Sequence, residues 1–170
     1  MIAIQANRAF VLVGFALRRL VWKRNMSDEN IKLMAHLMRR AGFGASRDEL
    51  ERRVAIGYEA TVEELLNPEA QEPVDYYEFL RYYPNWWKPG TMGGRGHAGW
   101  VWRMIKTQAP LQEKLCLFYH QLFATGVSKV DHYDEIEDML DMFREKGMGS
   151  YRTILMEVAQ NPAMLFWLDN

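Results

Sequence analysis

Helix start and stop signals recur along this chain at short intervals, and no segment shows the period-two alternation of a half-buried strand. Ser46 with Glu49, and Thr61 with Glu64, form the capping-box pattern that begins helices, and Gly57 lies between them, where it would end the first. The pattern predicts an all-α protein, an irregular orthogonal bundle of about seven or eight helices.

Apolar residues at helical spacing predict which faces of these helices are buried. Four helices show such a face. The expected inward residues are Ile31, Met34, Ala35 and Met38 in the first; Leu111, Leu115, Phe118 and Leu122 in the second; Tyr133, Ile136, Leu140 and Phe143 in the third; and Tyr151, Ile154, Leu155 and Val158 in the fourth. The segment 110–125 is apolar around so much of its circumference that it is expected to lie at the centre of the core.

Residues 69–99 differ from the rest, because a crowd of aromatic residues is followed by a run of glycines. We expect this segment to be a long aromatic and glycine-rich loop, with helical structure resuming at Trp100. Long loops in compact proteins are often functional. Tyr82, Tyr83, Trp86 and Trp87 form a candidate binding surface for a protein or carbohydrate partner. The alternative is a flap that packs on the protein's own core.

The run Met164 to Leu168 consists of five consecutive large apolar residues near the last residue of the sequence. A helix that is apolar on all sides must be buried on all sides. Each exposed side chain of this kind forgoes about 1.5–3 kcal/mol of burial free energy. We therefore expect a bundle that is incomplete at its C-terminus, with residues 26–170 forming the N-terminal part of a larger helical domain. Its expected partner is a missing C-terminal helical part of the same protein.

The first 25 residues form a basic, apolar extension. The apolar run Ala9 to Leu17 is shorter than the roughly 20 residues of a membrane-spanning helix. Most basic residues of the extension come after this run, whereas those of a cleavable signal peptide come before its apolar segment. One interpretation is that residues 1–25 are a wrongly assigned start and that the protein begins at Met26. The other is a weak interfacial membrane anchor, which is not favoured. Neither interpretation predicts a compartment.

Charge argues against a nucleic-acid-binding protein. Residues 1–24 contain five basic and no acidic residues, so the remainder contains 16 basic against 22 acidic residues. Affinity for nucleic acid comes mainly from cationic contacts to phosphate. The single cysteine, Cys116, excludes an intrachain disulfide and lies within an apolar helix face, where a thiol behaves as a small apolar group.

Three residues are candidates for catalysis: His36, Arg40 and His120. His120 lies in line with Glu113 and Leu117 on its helix, and it could act as a general base or a metal ligand in a cavity. The alternative is a buried histidine bonded to a neighbouring carbonyl or carboxylate. His36 and Arg40 share the polar side of the first helix, where they could hold an anion or simply face solvent.

Two further patterns are weak. Asp134, Glu135 and Asp138 could bind a hard cation, but acidic residues are common in the first turns of helices, and we predict no metal site. The segment Gly94 to Gly99 matches GxGxxG but lacks the preceding strand that a dinucleotide site requires. No cofactor is implied. The leading hypothesis is therefore a binding or scaffolding protein. The alternative is a hydrolase or metal-dependent enzyme whose site is completed by the missing part.

Three motifs together resemble a known bacterial family. They are the segments 36–44 (HLMRRAGFG), 110–125 (PLQEKLCLFYHQLFAT) and 161–170 (NPAMLFWLDN). Their order and spacing resemble the N-terminal part of the family called domain of unknown function 1800, over about residues 28–170. The resemblance implies a longer protein that continues into a further helical region. Tyr119 stands where the family pattern has Trp, and Leu122 where many members have a second histidine. The resemblance implies no activity.

Overall fold

The computed structural model describes residues 28–82, 92–130 and 132–170. Within these residues the chain is helical and contains no strand, which confirms the predicted all-α fold. The helices are α1 (28–41), α2 (Arg47–Ile56), α3 (Tyr58–Leu66), α4 (Tyr76–Tyr82), α5 (Met92–Lys106), α6 (Pro110–Phe123), α7 (Tyr133–Lys146), α8 (Tyr151–Gln160) and α9 (Pro162–Trp167), with one 3-10 turn at Pro68–Ala70.

The first three helices enclose a small core. Its buried residues are Ile31, Met34, Met38, Leu50 and Leu65, and Leu111 at the start of α6 packs against them. The stripe predicted for α1 is therefore confirmed. Glycines at positive φ separate these helices, since Gly44 has a φ of 95° and Gly57 a φ of 110°, angles that favour a residue without a side chain.

A second and larger core lies where α6 to α9 meet. Its buried residues are Cys116, Val130, Ile136, Met139, Leu140, Phe143, Ile154, Val158, Ala163 and Met164. The partly buried rings of Tyr119 and Phe123 pack against it and stack on each other and on the buried ring of Phe143, with centroids 5.8–6.4 Å apart. Helix α6 contacts the first core through Leu111 and the second through Cys116, so it connects the two. This agrees with the central position that the sequence predicts for this helix.

Three local predictions were wrong. The expected loop 69–99 contains α4 and the first turns of α5. With these, the described residues hold nine α-helices, in agreement with the predicted multi-helix bundle. Thr61 does not begin a helix. It lies inside α3, where its buried hydroxyl donates a hydrogen bond of 2.8 Å to the carbonyl of Gly57. A hydroxyl near a helix start serves either role, and sequence spacing does not distinguish them.

The third error concerns the faces of α6 and α8. Phe118 and Leu122 were expected inside, yet they are 53% and 51% exposed, and Tyr151 and Leu155 of α8 are similarly exposed. The buried side of α6 instead carries Cys116 and a carboxylate, described below, because that side faces α7. Large side chains in α9 and directly after it are also exposed, namely Leu165, Phe166 and Leu168.

The predicted N-terminal extension, residues 1–25, lies outside the described residues. Among the residues that are described, no helix combines the length and apolar character needed to cross a membrane.

Candidate functional site

Helices α5, α6 and α7 contact one another and form a cleft. Glycine allows α5 to approach α7 closely, because a Cβ atom on Gly96 would overlap the hydroxyl group of Tyr133. Gly96 and Gly99 are both buried on the side of α5 that lines this cleft. Gly96 therefore serves helix packing, and the GxGxxG segment lies inside α5 rather than in a turn after a strand.

A buried charged network forms the floor of the cleft. Glu113 of α6 is 2% exposed. It accepts hydrogen bonds from Nε1 of Trp100 at 2.6 Å and from Nε and Nη2 of Arg144 at 2.8–3.2 Å. Arg144 also donates to Asp141 at 2.6 Å, and Gln112 donates to the carbonyl of Arg144 at 3.2 Å. Such bidentate contacts fix both side chains, so the floor is rigid.

Electrostatics agree with this geometry. Burial lowers the pKa of Arg144, but the hydrogen bonds and the charge of Glu113 outweigh that effect and raise the pKa above its ordinary value. Arg144 is thus permanently charged, and Glu113 balances it inside the protein.

Two adjoining cavities open above this floor. The larger has a volume of about 210 Å³, and its polar lining residues are Arg103, Tyr133, Glu137, Asp141 and Arg144. The smaller has a volume of about 90 Å³ and includes both His97 and His120 in its wall. The two share Gly96, Trp100, Tyr133 and Leu140, so the indole of Trp100 lies between them.

His120 is the residue of the cleft with an open bonding position. Its Nδ1 atom is buried and has no hydrogen-bond partner among the described residues. The ring of Trp100 meets its imidazole edge-on, with centroids 5.2 Å apart. Burial, and then the charge of His97, lower the pKa of His120 from 6.5, so the imidazole is neutral at pH 7. A neutral imidazole can both donate and accept a hydrogen bond, one at each nitrogen.

The other two candidate catalytic residues lie elsewhere. His36 and Arg40 are exposed on α1, and neither lines any of the three described cavities. The structure thus brings His120 together with His97 and Trp100. The grouping of His120 with His36 and Arg40 stays a prediction without a shared cavity to support it.

The candidate aromatic surface is only partly described. Tyr83, Trp86 and Trp87 lie outside the described residues. Tyr82, at the end of α4, is 71% exposed, and its ring lies 5.7 Å from that of Trp102 in α5. Phe79 of the same helix is buried and contacts Trp102 as well.

The weaker motifs acquire structural roles. Asp134, Glu135 and Asp138 belong to the first turns of α7, and no cluster of three or more His, Cys, Asp or Glu side chains suited to a metal ion occurs in the part of the chain described. Cys116 is fully buried in the larger core, as expected, where burial raises its pKa to about 12.

Sequence reasoning missed the floor of the cleft. It aligned Glu113 with His120 on one face of α6, which is correct, since both contact Trp100. The sequence offered one signal of a buried charge: an acidic residue, Glu113, between Leu111 and Leu115 in an apolar helix. Its partner Arg144 is 31 residues away, and no sequence pattern connects the two.

A family model described as "Protein of unknown function (DUF1800)" matches residues 36–170. No curated protein and no solved structure matches the chain.

Proposed function

Because this chain belongs to the DUF1800 family, whose description assigns no activity, we propose from the cleft itself that the protein binds a small polyhydroxylated ligand there. The observation that carries the proposal is the buried, unpartnered Nδ1 of His120 in the wall of a cavity. Buried polar atoms in proteins nearly always have a partner, so an atom left without one beside a cavity marks a position for a ligand group or water.

The lining of the larger cavity suits hydroxyl groups. It combines the aromatic rings of Trp100 and Tyr133 with the charged side chains of Arg103, Glu137 and Asp141. A hydroxyl group both donates and accepts hydrogen bonds, so it satisfies a guanidinium, a carboxylate or a neutral imidazole in turn. Aromatic surfaces beside polar groups supply the apolar contact that a sugar ring needs.

The volumes favour a small ligand. Cavities of about 210 and 90 Å³ are below the range of roughly 300–1,000 Å³ typical of sites for drug-sized molecules. The arrangement proposed is a monosaccharide that spans the two adjoining cavities, with its ring in the larger one and one hydroxyl in the smaller one, directed at His120. This keeps the hypothesis of a binding role and a carbohydrate partner, but moves the site from the aromatic segment to the α5–α6–α7 cleft.

The test uses the full chain uniformly labelled with ¹⁵N, and glucose as the probe. We expect millimolar glucose to shift the Nδ1 resonance of His120, and the His120→Gln variant to lose the binding detected by the backbone amides of α5 and α7. Long-range ¹H–¹⁵N spectra report the tautomer of the imidazole and its hydrogen bonding directly.

The matched control is His36→Gln, because His36 is exposed and lies outside both cavities. This variant should bind glucose as the parent chain does. Equal loss in both variants would instead support a site shared by His36, Arg40 and His120. No shift of His120 with glucose, in a chain that is folded, would refute the proposed ligand class.

A hydrolase is the second candidate, and one observation favours it. A general base must be neutral at the working pH and must offer a free nitrogen, and His120 meets both conditions. Hydrolysis of p-nitrophenyl acetate by the full chain should then fall in His120→Gln and stay unchanged in His36→Gln. Hydrolysis that is equal in both variants would exclude His120 as the base.

A further inference from the structure

A third cavity, of about 220 Å³, lies away from the α5–α6–α7 cleft, among the α1–α2 turn, α2, and the segment that joins α5 to α6. Its wall is more polar than apolar, and the apolar part comes from side chains that include Met38, Phe43, Met104 and Ile105. Arg53, in the last turn of α2, lines the same cavity and is only 3% exposed.

The bonding of Arg53 is incomplete. Its Nε donates to Glu49 at 2.6 Å, and its Nη2 forms an ion pair with Glu64 at 3.1 Å. The remaining nitrogen, Nη1, is buried and has no partner among the residues that the structure describes. A guanidinium has five N–H donors in a fixed plane, so Nη1 cannot turn toward either carboxylate without giving up an existing contact.

The charge around Arg53 decides which acceptor fits. Two carboxylates, Glu49 and Glu64, already face this guanidinium, and Glu49 also pairs with Arg52 at 2.8 Å. Hydrogen bonds from Arg52 lower the pKa of Glu49, so it stays ionised at neutral pH. The two arginines and two carboxylates therefore balance, so no unpaired positive charge remains to offset the desolvation of a further anion in this buried place. A neutral carbonyl oxygen satisfies Nη1 without adding charge.

We infer that this cavity is a binding site for a neutral carbonyl compound, an amide with an apolar substituent. Its carbonyl oxygen accepts hydrogen bonds from Nη1 of Arg53, and its hydrocarbon part packs against Phe43, Met104 and Ile105. The site is independent of the one proposed for His120, because the two cavities share no lining residue.

The experiment compares two probes of equal chain length, hexanamide and hexanoate, by ¹H–¹⁵N spectra of the uniformly ¹⁵N-labelled full chain that include the arginine side chains. We expect hexanamide to shift the Nη resonances of Arg53 and the backbone amides of Gly44 and Thr107. Hexanoate should bind at least about tenfold more weakly, because its carboxylate loses hydration where the positive charges of Arg52 and Arg53 are already paired with Glu49 and Glu64. Equal or tighter binding of hexanoate would overturn the inference.

The variants are made in the wall of the cavity, since replacing Arg53 would leave two half-buried carboxylates without their shared partner and risk unfolding. Ile105→Ala removes part of the wall from a side chain that is largely exposed, and it should weaken hexanamide binding by at least about threefold. Val101→Ala, one turn earlier on α5 and outside the cavity, should leave binding unchanged. An unshifted Arg53 spectrum, or a crystal soaked in hexanamide in which only water meets Nη1, would also overturn the site.

Discussion

The hydroxyl group of Tyr133 in α7 occupies the position where a side chain on Gly96 of α5 would begin. The two helices thus meet at a point where one residue lacks a Cβ atom and the other fills the space. Both residues also line the two cavities of the cleft, so their contact sets how far apart its walls lie.

Gly96→Ala should therefore destabilise the protein and deform the cleft. An added methyl group in a closely packed contact costs typically about 1–3 kcal/mol, because the ring of Tyr133 has to move. Urea unfolding measures the loss. Gly126→Ala is the control, since a Cβ there would lie at ordinary contact distance, 3.4 Å, from the ring of Trp167. In a chain that already carries Tyr133→Ala, Gly96→Ala should cost much less unfolding free energy than it does in the parent chain. Strict additivity of the two changes would contradict the explanation.

Glu113→Gln should be among the most destabilising single substitutions in this chain. It leaves the charge of Arg144 buried without its counter-ion, and breaking a buried pair typically costs about 3–5 kcal/mol. Asp141→Asn is the matched control, because Asp141 pairs with the same arginine but its side chain is 67% exposed. Its cost should stay below about 1 kcal/mol. Equal unfolding free energies for the two variants would show that burial does not set the strength of this network.

The course of the chain could be predicted from local signals far better than the site could. The stripe of α7, the proline at the start of α6 and the glycine that ends α2 depend on residues within one or two turns of each other, and all are confirmed. The capping-box pattern at Ser46 holds in part, since its hydroxyl accepts from the amide of Glu49 at 3.3 Å. The side chain of Glu49 turns instead to Arg52 and Arg53.

The faces of α6 could not be predicted, because this helix is apolar on more than one side. On the buried side Glu113 meets Arg144 of α7, a partner 31 residues away, and Phe118 lies on an exposed side. The candidate site could not be predicted in full for a similar reason, because it also depends on contacts between different helices. His120 was identified as a candidate, but its partners Trp100 and His97 come from α5, a helix whose first turns were expected to be loop.

The unfolding free energy should decrease as pH is lowered, because His120 titrates differently in the folded and unfolded states. Burial and the charge of His97 lower the pKa of His120 in the folded protein, whereas the unfolded chain has the ordinary value of 6.5. Between the two values the unfolded state binds more protons, so the unfolding free energy decreases as pH falls below about 6.5 and through the lowered pKa. His120→Gln should flatten this part of the pH profile measured by urea unfolding, and His36→Gln should not. A profile unchanged in His120→Gln would mean that His120 titrates alike in both states.

Cys116 should report opening of the larger core. Its thiol is fully buried, it donates to the carbonyl of Leu140 at 3.4 Å, and burial raises its pKa to about 12. Alkylation requires an accessible thiolate, so iodoacetamide should not modify the native chain at pH 8 and should modify it fully in urea. Because Cys116 is the single cysteine, mass spectrometry counts the modified fraction without ambiguity. The rate of alkylation under native conditions should rise in Glu113→Gln. This variant leaves Arg144 without its counter-ion and so loosens the α6–α7 contact that covers the thiol. Rapid modification of the parent chain would mean that α6 and α7 separate readily in solution.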